Sequence, residues 1–357
     1  MSTAFLLYAY SSGRPVWTEE TYSRDIYPAV ISVWSGITSL FSFSAAEIIV
    51  YIIALCAVVR IVRGTALIIH EPTAPGRAFY FVDLLLSGAV AAALICFLFI
   101  TLWGLNYNRL PFSESSGLDA APATVRELEQ SCALLAVRAG EFREQTHEDD
   151  DGLMALSVPL KNTLERANDG FRAASAEFAA LGCFEPGRPK PVLSSKFMSY
   201  AGITGIYFPI TAEANINTDV TDAEIPFTIC HELAHQLGYA REDEANFISW
   251  IACVNSPYED YRYSGALMAL THSLNALYTR DAAAWNRIRS ACSPAVNGDL
   301  NATGRYWQAY EGPVSEISET INDTFLRTNG QTDGVQSYGR MVDLIIAYFN
   351  ADGLLSG

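Results

Sequence analysis

The sequence predicts a mostly helical α+β chain, in which a transmembrane helical hairpin precedes a domain with a small sheet and a metal-binding helix. Three observations lead there. Half of the 357 residues are hydrophobic, more than most soluble proteins carry, so part of the excess belongs in a membrane. Two apolar runs, Ala45 to Val62 and Leu84 to Leu105, have the length and composition of bilayer spans. Finally, Pro226 to Cys253 reads PFTICHELAHQLGYAREDEANFISWIAC, which places His231, Glu232 and His235 in the spacing His-Glu-x-x-His within an apolar helical pattern.

From the start of the chain, residues 1–44 form an apolar, interfacial segment. Met1 to Tyr10 is too short to span and lacks the basic start and small-residue cleavage site of a signal peptide. Tyr22 to Phe43 sets Ile26, Val30, Ile31, Trp34, Ile37, Leu40 and Phe41 at helical spacing with few charges, which suits an interfacial helix. Residues 45–105 form the hairpin. Its first span keeps Glu47 near one end and Arg60 and Arg63 at the other, whereas the second has no charge and places Trp103 where an interfacial aromatic sits. Arg60, Arg63 and Arg77 cluster at the connecting loop, which puts that loop in the cytoplasm and residues 106–357 outside the cell membrane. The formal charge of −16 lies mostly beyond Asn106 and argues against nucleic acid or anionic lipid as partner.

Residues 106–357 are numerous enough for one sizeable core. Pro122 to Gln145 and Val158 to Leu181 show helical periodicity, with the acidic run His147 to Asp151 between them as a solvated loop rather than a calcium site. A proline-rich turn, Glu185 to Pro191, follows. The period then changes to two, so Val192 to Phe197, Gly205 to Ile210 and Ala214 to Thr218 are expected as short strands. Helices are expected again over Tyr263 to Tyr278, Ala282 to Ala291, Gly312 to Thr328 and Gly334 to Phe349, with His272 as a core histidine. Seven scattered cysteines show neither a disulfide framework nor metal spacing, and Cys230 and Cys253 are expected to pack as small apolar groups.

The histidine pair is where chemistry is expected. Two histidines four residues apart project from one helix face, and Zn2+ held by two imidazoles and a carboxylate keeps a position open for water. Glu232 beside them is the expected general base. Pro226 suits the first turn of this helix, and Gly238 suits its end. For the third ligand the chain offers Glu244 first and Glu242 as the alternative, both opening a second amphipathic helix through Cys253. Asn246 or Asp243 is the expected orienting partner of a histidine ring. Tyr338, Arg340 and Tyr239, and also Tyr200, are candidates to meet the developing oxyanion or a substrate carboxylate.

The runs KPVLSSKFMSYAGITGIYFPITAEANINTDV (Lys190 to Val220), PFTICHELAHQLGYAREDEANF (Pro226 to Phe247) and NGQTDGVQSYGRMVDLIIAYF (Asn329 to Phe349) resemble the bacterial DUF3810 proteins. That resemblance implies a membrane-anchored chain with a zinc metallopeptidase motif and no assigned substrate. A small sheet ahead of the metal helix is also similar to zincin peptidases, whose edge strand pairs with extended substrate; here that edge is expected at Gly205 to Pro209. The joint occurrence of the motif and the run Glu244-Ala245-Asn246 resembles the ImmA/IrrE-type peptidases, which implies Glu244 as third ligand.

The function expected from these residues is zinc-dependent hydrolysis of a peptide or protein substrate by an integral membrane protein. Two alternatives stand beside it: a zinc hydrolase of a cell-wall or other non-protein amide, and a catalytically idle, membrane-tethered zinc-binding or sensor module.

Overall fold

A computed structural model describes residues 2–329, 331 and 340–355. Helices dominate, and the sheets are small. The expected spans are both helical and both longer than their charge-free stretches: Ala45–His70 and Ala74–Leu102 have 26 and 29 residues and are apolar enough to cross a membrane. At about 1.5 Å per residue each exceeds the roughly 30 Å of a hydrocarbon core. Each begins at a capped end, with Ser44 Oγ accepting from Glu47 N–H and Thr73 Oγ1 from Gly76 N–H. The pair is stapled by Arg60 on the first helix, which meets Asp83 and Ser87 on the second. Gly64 keeps the contact close, since a Cβ there would lie 3.1 Å from Leu84 Cδ1.

Residues before the hairpin are helical, and of the apolar residues expected to lie in an interface Ile26, Val30, Trp34, Ile37, Leu40 and Phe41 are exposed while Ile31 is buried. Ser2–Ser12 is a helix, and a second helical run goes from Pro15 to Thr38, wound with π-type bonding over Thr18–Ile26. Tyr22, Tyr27 and Ile31 bury themselves with Ile100, Trp103, Leu105, Tyr107, Tyr207 and Ala240 in a second core. A buried pair, Arg109 to Glu19 at 2.7 and 2.8 Å, ties this run to the turn Gly104–Asn108 that follows the second apolar helix.

The larger core lies in the C-terminal part. Val125–Arg143 and Leu160–Ala174 are the two expected long helices, trimmed at both ends, and the acidic run between them closes a two-stranded hairpin, exposed β1 (His147–Glu148) and β2 (Met154–Ala155), whose Met154 is buried. Three further strands make one sheet in the order β3-β5-β4: β3 (Lys190–Pro191) runs parallel to β5 (Glu213–Ile216), and β4 (Gly205–Phe208) antiparallel to it, with Gly205 opposite Ile216 and Phe208 opposite Glu213. The strand expected over Val192 to Phe197 is not formed. Ser195–Tyr200 is a short helix instead; Pro191 is the last residue paired with β5, opposite Ile216, and one further bond, Val192 N–H to Ile216 O at 3.1 Å, ends the contact.

Behind the sheet stand Ile225–Gln236 and Glu242–Val254, which pack against Glu259–Arg280 around Leu233, Phe247, Trp250, Ile251 and Leu270. Close approach is permitted by Gly265, where a Cβ would lie 2.4 Å from Cys253 Cβ. Cys230 and Cys253 are fully buried there, as expected, and all seven cysteines are free. Ala282–Ala291, Pro294–Gln308, Pro313–Thr328 and Arg340–Ala351 complete the chain. The third of the expected C-terminal helices is thus preceded by one more, Pro294–Gln308, whose Gly298 and Gly304 dilute its apolar period.

Candidate metal centre

Every residue of Ile225–Gln236 except His231 is buried, which is why its sequence shows a nearly continuous apolar run rather than a stripe. Pro226 occupies its first turn. Gly238 ends it in the left-handed region at φ +90°. Two bonds, Gly238 N–H to His235 O at 2.9 Å and Tyr239 N–H to Ala234 O at 3.1 Å, make this ending a Schellman motif. The reversal carries the Tyr239 carbonyl back to His235, whose Nδ1 lies 2.8 Å from it. With Nδ1 donating to that carbonyl, Nε2 is left with a lone pair for a ligand.

His231 and His235 lie with ring centroids 4.6 Å apart at 87°. Glu242 faces both: its Oε2 is 3.3 Å from His231 Nε2 and its Oε1 3.5 Å from His235 Nε2. One ligand atom from each of the three lies within 4.8 Å of the others. Two imidazole nitrogens and a carboxylate converging this closely are a donor set that fits a divalent ion.

The third member is therefore Glu242, the expected alternative, and not Glu244. Both begin the same helix, but residues two apart project about 200° from one another, so only one can face the histidines. Glu244 Oε1 instead accepts from Phe112 N–H at 2.8 Å and from Arg241 at 3.3 Å. The orienting roles expected of Asp243 and Asn246 are not taken either. Asp243 Oδ2 pairs with Arg340 Nε at 3.1 Å, the Asn246 amide nitrogen makes no hydrogen bond, and a backbone carbonyl does the orienting.

Glu232, buried at 3% exposure, points the other way along the helix toward β4. A Cβ on Gly205 would lie 2.6 Å from its Oε1, so the strand can pass the carboxylate only because residue 205 is glycine. The Tyr207 backbone on the same strand favours its charged form. Burial raises the Glu232 carboxyl pKa, and His231 and His235 offset part of that rise. Burial would also lower His235, yet Glu242 outweighs it and holds the imidazole at about 9; Glu242 itself, despite burial, is held well below the usual carboxylate range by His235 and His231.

The other expected contacts fall differently. The Tyr239 phenol is turned away, buried under the Arg109 guanidinium at 4.2 Å, and burial pushes it up to about 12. Tyr200 stacks edge-on with Tyr310 at 4.9 Å. Arg340 is held by Asp243, next in sequence to Glu242. Tyr338 lies outside the described residues. His272 stands behind Phe227, with centroids 6.3 Å apart, and is pushed down to about 4 by burial and by His231, so it stays neutral.

Sequence reading missed the groups that hold the end of the histidine helix. Its last carbonyls are free to accept, and the N-terminal third of the chain supplies the donors. Trp103 Nε1 donates to His235 O at 3.3 Å, Tyr27 OH to Gln236 O at 3.0 Å, and Arg109 Nη1 to Gly238 O at 3.1 Å. Tyr27 OH also lies 3.1 Å from Tyr207 OH on β4, and Trp103 meets the His235 ring edge-on at 5.8 Å. No local pattern marks such partners, because they lie about 130 to 210 positions away in sequence.

Residues 22–346 match the family model described as "Protein of unknown function (DUF3810)". No curated protein and no solved structure matches the chain.

Proposed function

We propose that this chain, which belongs to the DUF3810 family, is a membrane-anchored, zinc-dependent metallopeptidase with a zincin-like site. The observation that carries this reading is the convergence of His231, His235 and Glu242 on one side of a helix whose Glu232 meets an edge strand of the sheet.

His231 Nε2, His235 Nε2 and the Glu242 carboxylate would hold the zinc, which when bound polarises a carbonyl and acidifies a water. Glu232 takes the proton of the attacking water at its carboxylate and passes it to the leaving nitrogen. Its burial, which raises its pKa, makes it a better acceptor than an exposed carboxylate. Tyr239 O keeps the His235 ring in one tautomer. Among the described residues β4 has no strand partner on the side away from β5, and such an edge offers backbone to an extended polypeptide, which supports a peptide over a non-peptide amide as substrate. The two apolar helices anchor the chain as a multi-pass protein, and Arg63 and Arg77 flanking their short connection support a cytoplasmic connection with the site on the opposite side.

Metal content and turnover test this together. The full-length protein is expected to hold one zinc per chain, and Glu232→Gln is expected to keep that zinc while losing hydrolysis of a mixed peptide library. A chain without zinc, or a Glu232→Gln variant as active as wild type, defeats the proposal.

A further inference from the structure

The helix Pro313–Thr328 has no part in the site described above. On it Val314, Ile317, Ile321 and Phe325 recur at helical spacing and are 56%, 62%, 64% and 38% exposed. They form one apolar stripe about 16 Å long. Of its 16 residues only Leu326 is buried, so the protein's own core covers almost none of this helix. Its far side carries Glu316, Glu319 and Asp323. An apolar stripe of this size facing water marks a surface that something else covers.

Its position says what covers it. The Phe325 ring meets Phe99 edge-on at 5.9 Å, and Phe99 belongs to the last turn of Ala74–Leu102, the second helix apolar enough to cross a membrane. The same ring stands 6.1 Å from Tyr107, just beyond that helix. The stripe is thus continuous at one end with the surface of a helix whose C-terminal half exposes apolar residues, among them Val90, Leu94 and Phe97.

We infer that Pro313–Thr328 is an interfacial helix, seated on the leaflet from which Ala74–Leu102 emerges, with Val314, Ile317, Ile321 and Phe325 in the boundary between headgroups and acyl chains. The inference rests on the membrane reading of the two apolar helices. Lipid fits better than a second copy of the chain, because the ring ending the stripe already touches a bilayer-crossing helix. Three carboxylates on the opposite face, against one basic residue, Arg327, suit zwitterionic rather than anionic headgroups. Beyond the helix, Gln331 Oε1 accepts from the backbone N–H of Glu242 at 3.4 Å, so the segment lying on lipid is joined to the turn that presents Glu242.

Photo-crosslinking of the full chain in phosphatidylcholine nanodiscs tests this, with a benzophenone amino acid placed in turn at Ile317, at Glu319 on the far face, and at Leu94 in the second apolar helix. Lipid adducts are expected at Ile317 and Leu94, with about tenfold fewer at Glu319. Adducts at Leu94 with none at Ile317, or a chain-to-chain product at Ile317, would overturn the inference and leave the membrane reading intact. Absence of adducts at Leu94 would remove the membrane reading and the inference with it.

Discussion

The carbonyl oxygen of Tyr239 accepts from Nδ1 of His235 at 2.8 Å. They are four positions apart, and the left-handed Gly238 makes the return possible. This bond turns a helix ending into part of the candidate metal site: the backbone fixes the tautomer of a ligand, a task often given to a carboxylate. Gly238→Ala is therefore expected to act on stability and on metal together. An alanine at φ +90° costs about 1 kcal/mol, and its Cβ would lie 3.1 Å from the Tyr27 ring. Thermal unfolding should move down by several degrees and zinc affinity should fall by about tenfold or more. Unchanged affinity in a chelator competition would separate the turn from the ligand.

Ligand identity separates two neighbouring glutamates. Glu242→Ala and His235→Ala are expected to lose stoichiometric zinc, whereas Glu244→Ala should keep it, since Glu244 serves Phe112 N–H and Arg241. Measuring metal per chain after dialysis decides the matter. Zinc lost from Glu244→Ala but kept in Glu242→Ala would reverse the assignment.

Gly205 makes room for Glu232. In Gly205→Ala the new methyl would meet the carboxylate at 2.6 Å, so strand or side chain must shift. Turnover should fall on the order of 100-fold, because a misplaced base loses most of its effect, while zinc content stays at wild type. A fully active Gly205→Ala would show that the base is not held where β4 puts it.

Trp103, Tyr27 and Arg109 tie the N-terminal third to the histidine helix. Trp103→Phe and Tyr27→Phe each remove one donor to a buried carbonyl, at a cost of about 1–3 kcal/mol. A chain starting at residue 106 lacks Trp103, Tyr27 and Glu19 at once, and leaves Arg109 buried without its carboxylate partner. Such a chain is expected to bind zinc at least about tenfold more weakly than the full protein, if it folds at all. Equal affinity and stability in the two would make the N-terminal packing dispensable.

Binding of metal should release a proton. In the metal-free protein His235 is raised from 6.5 to about 9, so it is protonated at pH 7 and paired with Glu242. A raised pKa in the folded state stabilises that state fully below about 6.5, the unfolded value, and the contribution is lost as pH rises through about 9. The metal-free protein should accordingly lose thermal stability between those limits, and zinc affinity should gain about tenfold per pH unit over the same window. Calorimetry in buffers of different ionisation enthalpy counts the proton; a count of zero at pH 7 would contradict the pairing.

The two apolar helices and the histidine motif were legible in the sequence because each is a local pattern: a run of apolar residues, and a four-residue spacing on one helix face. The edge strand at Gly205 was legible for the same reason, through its period of two. Val192 to Phe197 was not, since a short alternating run forms a strand only where a neighbour is free to pair, and the last bond this segment makes to β5 is Val192 N–H to Ile216 O at 3.1 Å, after which it winds into Ser195–Tyr200.

What the sequence by itself determined is the pair His231 and His235 on one helix face, with Glu232 next to it in sequence, because helix periodicity alone brings the two histidines together. Which glutamate joins them, which carbonyl orients His235, and which side chains cap the helix were decided only by tertiary structure. Glu242 and Glu244 differ in nothing but the direction in which one helix start is turned, and that direction is set by packing against Phe112 and the histidine helix. Trp103, Tyr27 and Arg109 reach carbonyls whose positions exist only once the chain has folded.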